Sequence, residues 1–266
     1  MPVEFLLFIY FLTFTENMQD IDLFSLQKNI RETFPDKHIG FKKCRNGLIV
    51  VLEILGENNE NRRAIRNMDH ATMRCSKAYV LKIFDMIASN VAFSTALAIY
   101  DETFEYKVDQ IVEPKEKFDT YLDRVSGSGI HYFRTLDPAF FWNYIPNDGL
   151  KKEWYDNGHL KDQYSLKDGK RDGPAKSWFD DGQLWEQIIY KDDVFHGLYE
   201  SWYENGRKQN VATYNNGNLD GEYVTWHDNG VWERYCVYKN GQIDGYDLYY
   251  LGQGKIARFL NGVQVY

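Results

Sequence analysis

The residue whose setting best suits acid–base work is His131, in Gly129-Ile-His-Tyr-Phe133 directly after the Ser126-Gly-Ser-Gly129 turn. An imidazole beside a turn can serve as a general base near neutral pH. Arg74 and Cys75, adjacent in Met73-Arg-Cys75, are its candidate partners. The alternative is a structural histidine whose ring nitrogens bond nearby backbone. That alternative is preferred, because a catalytic role needs geometry that spacing does not supply. Other signatures are missing. Gly252-Gln-Gly-Lys255 lacks the upstream glycine, the Ser/Thr and the following helix of a phosphate loop. There is no His-Glu-x-x-His and no Cys-x-x-Cys. Asp180-Asp181 and Asp192-Asp193 fall in expected turns, where Asp bonds local backbone, and they lack the ligand spacing of a calcium loop. No metal or cofactor is expected.

A second class of candidate is recognition rather than catalysis. Trp185 takes a position that is Lys161, Gln209, Glu233 and Ala257 in sister segments. Tyr235 and Phe259 share a position that is Gln163, Gln187 and Val211 elsewhere. By strand alternation all three should lie opposite the Leu184/Tyr190 face. Aromatics exposed on one face are what protein interfaces use as anchors. Local packing against the first domain, or a sheet twist, would account for them equally well.

What must position these residues is a repeat. Trp154, Trp178, Trp202, Trp226 and Tyr250 recur every 24 residues. Gly158, Gly182, Gly206, Gly230 and Gly254 follow each aromatic by four; Gly149, Gly173, Gly197, Gly221 and Gly245 precede it by five. A fixed period of this length signals stacked supersecondary units. Asp156-Asn-Gly158, Asp180-Asp-Gly182, Glu204-Asn-Gly206 and Asp228-Asn-Gly230 read as hairpin turns whose central residues accept positive φ. Asn216-Gly217 and Asn240-Gly241 mark the return turns. Each unit is thus two antiparallel strands, and no hairpin buries its own face, so each stacks on the next. Trp154, Trp178, Trp202, Trp226 and Tyr250, with Gly173, Gly197, Gly221 and Gly245, are expected to form the repeat core.

The spacing Gly197-x-x-x-x-Trp202-Tyr-x-x-Asn-Gly206, followed by Tyr214, Asn216-Gly217 and Gly221, resembles the MORN repeat in a variant form. The resemblance covers about 149–262 and implies an open, twisted antiparallel β-meander. The last unit departs from it, with Tyr250 for Trp and Gly252-Gln-Gly254 for Asp-Asn-Gly, as suits a cap. Met73-Arg-Cys-Ser-Lys-Ala-Tyr-Val-Leu81, Phe104-Glu-Tyr-Lys-Val108, Ile111-Val-Glu-Pro114 and Gly129-Ile-His-Tyr-Phe133 resemble an uncharacterised domain that precedes MORN or pentapeptide repeats in giant amoebal DNA viruses. That resemblance covers roughly 45–143. It implies a viral origin, in host cytoplasm or virion, and no known chemistry.

Ahead of the repeats the chain reads as α+β. A helix is expected over 20–34 before Pro35, a buried strand over 47–55, and a charged loop over 58–67. Residues 74–86 are ambiguous between helix and a helix-to-strand passage. A half-buried strand is expected over 104–112, a short strand over 130–133 and a last helix from Asp137-Pro138. The expected organisation is an apolar segment 1–17, an α+β domain 18–144, and five repeats over 149–266. Residues 5–14 are too short to span a bilayer as a helix and carry no basic flank. They are either part of the first domain or an extension ahead of Met18.

Net charge is −8, and from Gly149 onward 14 Lys/Arg stand against 18 Asp/Glu. Acidity on this scale argues against nucleic acid and anionic lipid, both of which attract basic patches. Cys44, Cys75 and Cys236 are too few and too scattered for a disulfide framework, which suggests a reducing compartment. The expectation is a non-enzymatic scaffold offering a stiff sheet to a protein partner. The rivals are an enzyme with its site in the first domain, and a lipid-surface module. Pairing of a sheet edge through Val263-Gln-Val-Tyr266 would give a homodimer.

Overall fold

In the computed structural model, which describes residues 22–62, 64–86, 91–144, 146–253, 255–260 and 263–265, Asp22 opens the first helix. Its carboxylate accepts from the Ser25 backbone N–H at 3.0 Å and from the Ser25 hydroxyl at 2.6 Å, a capping arrangement. Helix α1 (Leu23–Thr33) ends at Phe34, ahead of Pro35. The apolar segment 1–17, Gly254 and Tyr266 lie outside the described residues.

The chain divides into two compact units. The first comprises the described residues through Tyr144 together with Lys152–His159; the second comprises Pro146–Lys151 and the described residues from Leu160.

The first unit is built on strands β1 (Ile39–Lys43), β2 (Leu48–Ile54), β3 (Met73–Cys75), β4 (Ala78–Asp85), β5 (Thr95–Leu97), β6 (Glu105–Lys107), β7 (Ile111–Val112) and β8 (Ile130–Tyr132), closed by helix α2 (Leu136–Phe141). Four of them form an antiparallel sheet in the order β1-β2-β4-β7; β3 pairs β8 and β5 pairs β6. Strand β2 reads as an unbroken apolar run because both its faces are covered. Val50, Leu52 and Ile54 join Met73, Val80, Ile83 and Tyr132 on one side. Ile49 and Val51 join Phe41, Phe84, Ile30 and Phe140 on the other.

The ambiguous stretch 74–86 holds no helix: it is the end of β3 and all of β4, separated by a bend at Ser76-Lys77. Its apolar pattern is interrupted by Arg74, whose side chain is buried and whose charge is met by distant backbone. The strand expected over 104–112 is broken into β6 and β7. Asp109 stands between them at φ 63°, a left-handed conformation that no strand continues through.

An eleven-stranded antiparallel sheet runs in strict sequence order from β9 (Gly149–Trp154) to β19 (Val263–Val265), with β10 onward in the second unit. Between them lie β10 (Leu160–Lys167), β11 (Lys170–Trp178), β12 (Leu184–Lys191), β13 (Val194–Trp202), β14 (Lys208–Asn215), β15 (Asn218–Trp226), β16 (Trp232–Lys239), β17 (Gln242–Gly252) and β18 (Lys255–Leu260). Ten inter-strand steps make the sheet about 48 Å wide. The expected β-meander is the observed one.

Two turn types alternate, and the structure reassigns their chemistry. The Asp/Asn-Gly turns that follow each Trp have only the Gly at positive φ: Gly158 90°, Gly182 91°, Gly206 77°, Gly230 85°. The Asx residue before that Gly instead uses its side-chain oxygen to hold the N–H two residues on. Asn157 takes His159, Asp181 takes Gln183, Asn205 takes Arg207 and Asn229 takes Val231, at 2.9–3.0 Å. Positive φ at both central residues belongs to the return turns Asp168-Gly169, Asp192-Asp193, Asn216-Gly217 and Asn240-Gly241. These match the right-handed strand twist.

Just past each return turn the register slips, and the in-phase glycine lies in the slip. Gly173 (φ 103°), Gly197 (86°), Gly221 (131°) and Gly245 (105°) are held there by backbone conformation, and at Gly221 also by Thr213, whose Cβ would lie 3.0 Å from an added Cβ. A second, one-residue bulge sits near each Trp: the register shifts at Ser177/Trp178, Ser201/Trp202 and Thr225/Trp226. Trp185, Gln209 and Glu233 are the extra residues there.

Candidate functional site

Cross-strand register sorts the sheet into two chemically different faces. One row on the first face runs Tyr164, Ala175, Ile188, Tyr199, Ala212, Tyr223, Cys236, Asp247, Phe259. Large and small side chains alternate in its middle, so neighbouring rings close over the small ones. Ala212 and Cys236 are fully buried as a result. Alongside run Tyr190, Phe195, Tyr214 and Tyr238. Phe195 lies edge-on to Tyr190 at 5.1 Å and to Tyr214 at 5.2 Å, and Tyr223 meets Tyr238 at 5.7 Å.

Two arginines are set between tyrosines on this face. Arg171 lies 4.6 Å from the Tyr164 ring and 5.2 Å from that of Tyr190. Arg234 lies 5.6 Å from Tyr223 and 5.2 Å from Tyr249, and binds Asp247 with two bonds of 2.8 and 2.9 Å. Burial raises the Tyr199, Tyr214, Tyr238 and Tyr249 hydroxyls above the ordinary phenol value and raises Glu186, to which Tyr199 donates at 3.4 Å. The rings and charges of this face are engaged with one another.

The opposite face is less occupied. Its central row is Gln163, Lys176, Gln187, Glu200, Val211, Val224, Tyr235, Leu248, Arg258. Ile189, Leu198, Tyr246 and Leu260 stand beside that row, each exposed. Tyr235 belongs here, half-buried, its hydroxyl donating to Glu222 at 3.2 Å.

The three recognition candidates are not brought together. Trp185 is 44% exposed at its bulge, its ring 6.1 Å from that of Phe179. Tyr235 lies four strands away, about 19 Å along the sheet. Phe259 is on the other face, stacked edge-on to Tyr249 at 5.7 Å, which corrects its expected place beside Tyr235. The reason is register. The last hairpin shifts register after its aromatic, at Tyr250/Gly252, rather than before it: Tyr249 pairs Ala257, where the earlier units would set it opposite Arg258. A one-residue slip turns every following side chain to the other face.

Of the in-phase aromatics, Trp178, Trp202, Trp226 and Tyr250 are half-buried, and Trp178, Trp202 and Trp226 pair at equivalent register with Leu184, Lys208 and Trp232. Trp154 packs within the first unit, stacked on His70 at 5.5 Å and 6.0 Å from Phe141.

In the first unit, His131 and Arg74 are cross-strand neighbours, yet they form no acid–base pair. The His131 Nε2 lies 2.9 Å from the Val125 carbonyl, so that nitrogen carries the proton. Arg74 turns the other way, into the 119–128 loop. Burial pushes the Cys44 and Cys75 thiols up to about 12, which leaves them protonated and unreactive. All three cysteines are free and buried. Among the described residues no group of three or more His, Cys, Asp or Glu could hold a metal ion, and no helix is long and apolar enough to cross a membrane.

Sequence reasoning missed Lys42, which lines a cleft together with His131. Its only signal was a lysine inside a buried strand, Ile39-Gly-Phe-Lys-Lys43. It also missed Arg171 and Arg234, legible only once the register sets them between tyrosines.

Residues 147–168, 171–192 and 195–216 match the MORN repeat variant family. Each MORN segment ends on the first residue of a return turn, Asp168, Asp192 or Asn216. The same geometry continues beyond the matched MORN segments to Asn240-Gly241, at φ 50° and 80°. Residues 28–139 match a family of unknown function, DUF5758. No curated protein matches the chain.

One pH effect follows from the first unit. Burial holds His70 and His131 below the ordinary histidine value. As pH falls through about 6.5, where these groups protonate in the unfolded chain, that chain takes up protons the folded unit does not. Stability is therefore fully present above that value and declines below it until the folded histidines titrate. Urea unfolding should give a lower midpoint at pH 5.5 than at pH 7.5. His131→Asn and His70→Asn together should flatten the difference.

Proposed function

We propose that the protein is a non-enzymatic adaptor whose MORN-type sheet presents its less occupied face to a protein partner. The observation that carries this reading is the asymmetry between the two faces. One spends its rings on each other, while the other leaves Ile189, Leu198, Tyr246 and Leu260 exposed beside Val211, Val224 and Tyr235. A sheet hydrogen-bonded across eleven strands loses little conformational freedom on binding. The interfaces of such adaptors place aromatic anchors within apolar patches. Trp185 and Tyr235 are the anchors proposed here. Three free, buried thiols fit a reducing compartment, and the net charge of −8 disfavours nucleic acid and anionic lipid as partners.

The test is co-purification of the full chain from cells that express it, read by mass spectrometry, with Trp185→Ala and Tyr235→Ala as comparisons. A specific protein should be lost from the variants by about tenfold, since an anchor of this kind contributes about 1.4 kcal/mol or more. The unfolding free energy of Trp185→Ala should stay within about 0.5 kcal/mol of wild type, as for other exposed positions, and that of half-buried Tyr235→Ala within about 1 kcal/mol. Equal recovery of every partner by wild type and both variants would remove this face from the function.

A further inference from the structure

The geometry points to a binding site for a small aromatic anion in the first unit, with the Lys42 ammonium as its charge partner. The inference rests on the first unit alone and stands or falls apart from the role of the sheet. Two cavities, of about 650 and 440 Å³, share six lining residues: Lys42, Lys43, Tyr100, Ser126, His131 and Trp142. They are two lobes of one cleft meeting at those side chains. Either lobe is of the size that takes a small molecule.

Lys42 stands at the meeting point. An ammonium has three N–H donors. The carbonyl of His131 accepts one at 3.0 Å, and the Tyr106 ring lies 5.9 Å away. Among the described residues Lys42 makes no ion pair. The titratable groups around it carry no negative charge: the Cys44 and Cys75 thiols and the Tyr106 phenol are all held protonated by burial. His131 is held below its ordinary value by burial and is neutral at pH 7. Neighbouring Lys43 donates to the Phe140 carbonyl at 2.7 Å and lies over the Phe140 and Tyr144 rings.

Among the described residues none of the carboxylates that line the cleft is within ion-pairing distance of Lys42. Asp101 is paired with Lys115 at 2.7 Å. Asp156 faces the Arg62 guanidinium, which also donates to its carbonyl. Glu116 lines the smaller lobe alone. Lys42 is thus a desolvated cation without a counter-charge, opening on a cavity, and burial lowers its affinity for its own proton. An anion that accepts its two remaining N–H groups would repair that deficit with charge-assisted bonds. The walls specify the rest of the ligand. Trp142, 5.5 Å from the Phe133 ring and 39% exposed, and the exposed Tyr100 offer flat apolar surface on the walls of the same cleft.

Calorimetric titration of the full chain with phenyl phosphate, inorganic phosphate and benzyl alcohol separates charge from ring. Phenyl phosphate should bind one to one, and at least about tenfold more tightly than either fragment. Lys42→Gln should weaken it about tenfold or more, Lys42→Arg should restore it, and Trp142→Ala should weaken phenyl phosphate but not inorganic phosphate. The inference is overturned if phenyl phosphate binds Lys42→Gln as tightly as wild type. It is equally overturned if wild type shows no saturable binding, or if a fragment binds as tightly as the whole ligand. If Lys42→Gln does not fold, the ¹³C-dimethyl-lysine resonance of Lys42 in the wild type decides. It should shift on adding phenyl phosphate, and an unmoved resonance rejects the site.

Discussion

Gly158→Ala should unfold or gravely weaken the first unit, whereas the same change at Gly230 should be mild. Both glycines follow an Asx residue in the same turn, at φ 90° and 85°. They share the cost of placing a side chain in the left-handed region, about 1–2 kcal/mol. Their surroundings differ. A Cβ on Gly158 would lie 1.9 Å from the Asn67 carbonyl oxygen and 2.8 Å from the Ala71 nitrogen, both main chain. A Cβ on Gly230 would meet nothing nearer than Arg207 Cδ at 3.5 Å. Gly206 falls between, with the flexible end of Gln183 at 3.1 Å.

The clash at Gly158 has no rotamer that relieves it. The 66–71 loop is held against this turn by the Asn157 carbonyl, which accepts from the Arg66 and Asn67 N–H groups at 2.9 Å each. Moving that loop breaks both bonds. The expected loss for Gly158→Ala is above about 4 kcal/mol, in the range that marks a specific structural failure. Gly206→Ala and Gly230→Ala should each cost about 1–2 kcal/mol in the second unit. Urea unfolding of the three variants, each compared with the transition of its own unit, checks the order. Equal costs at Gly158 and Gly230 would mean that the loop moves freely.

Arg74→Met should be nearly as damaging. It is fully buried, makes no ion pair among the described residues, and has its guanidinium wrapped by backbone. Nε donates to the Arg124 carbonyl at 2.8 Å, Nη2 to that of Tyr121 at 2.5 Å, and Nη1 to those of Asp119 and, at 3.2 Å, Ser128. The Phe118 ring covers it at 4.9 Å. Four carbonyls of one loop therefore converge on one side chain. Removing it orphans them, at about 1–3 kcal/mol for each that water does not reach, so the total should be about 3–5 kcal/mol. Arg74→Lys keeps the charge but offers three donors in place of a planar fork and should lose about half as much. Urea unfolding gives the size, and amide exchange across 119–128 gives the cause, because protection there should vanish first. A loss below about 1 kcal/mol with protection intact would show that the loop holds itself.

These two sites mark how far the sequence could be read. The repeat was legible because each signal has a local cause. Strand alternation has period 2, the return turns demand residues that accept positive φ, and Gly173, Gly197, Gly221 and Gly245 occupy a conformation that L side chains avoid. The bulges were not legible. Trp185, Gln209 and Glu233 share no chemistry, since a bulge is set by pairing to the neighbouring strand rather than by its own side chain. Phe259 was therefore assigned to the wrong face. In the first unit, strands β3 and β4 were obscured by Arg74, whose partners lie 45–54 residues away in sequence. Lys42 was hidden for a similar reason. A half-buried lysine looks like any other until the lack of an ion pair among the described residues can be seen.

The bulge that recurs just before Trp178, Trp202 and Trp226 bears on how such a chain can lengthen. A copy of residues 219–242 inserted after residue 242 would preserve the phase of everything downstream, because the segment brings its own bulge. Growth by internal duplication is therefore open to this architecture.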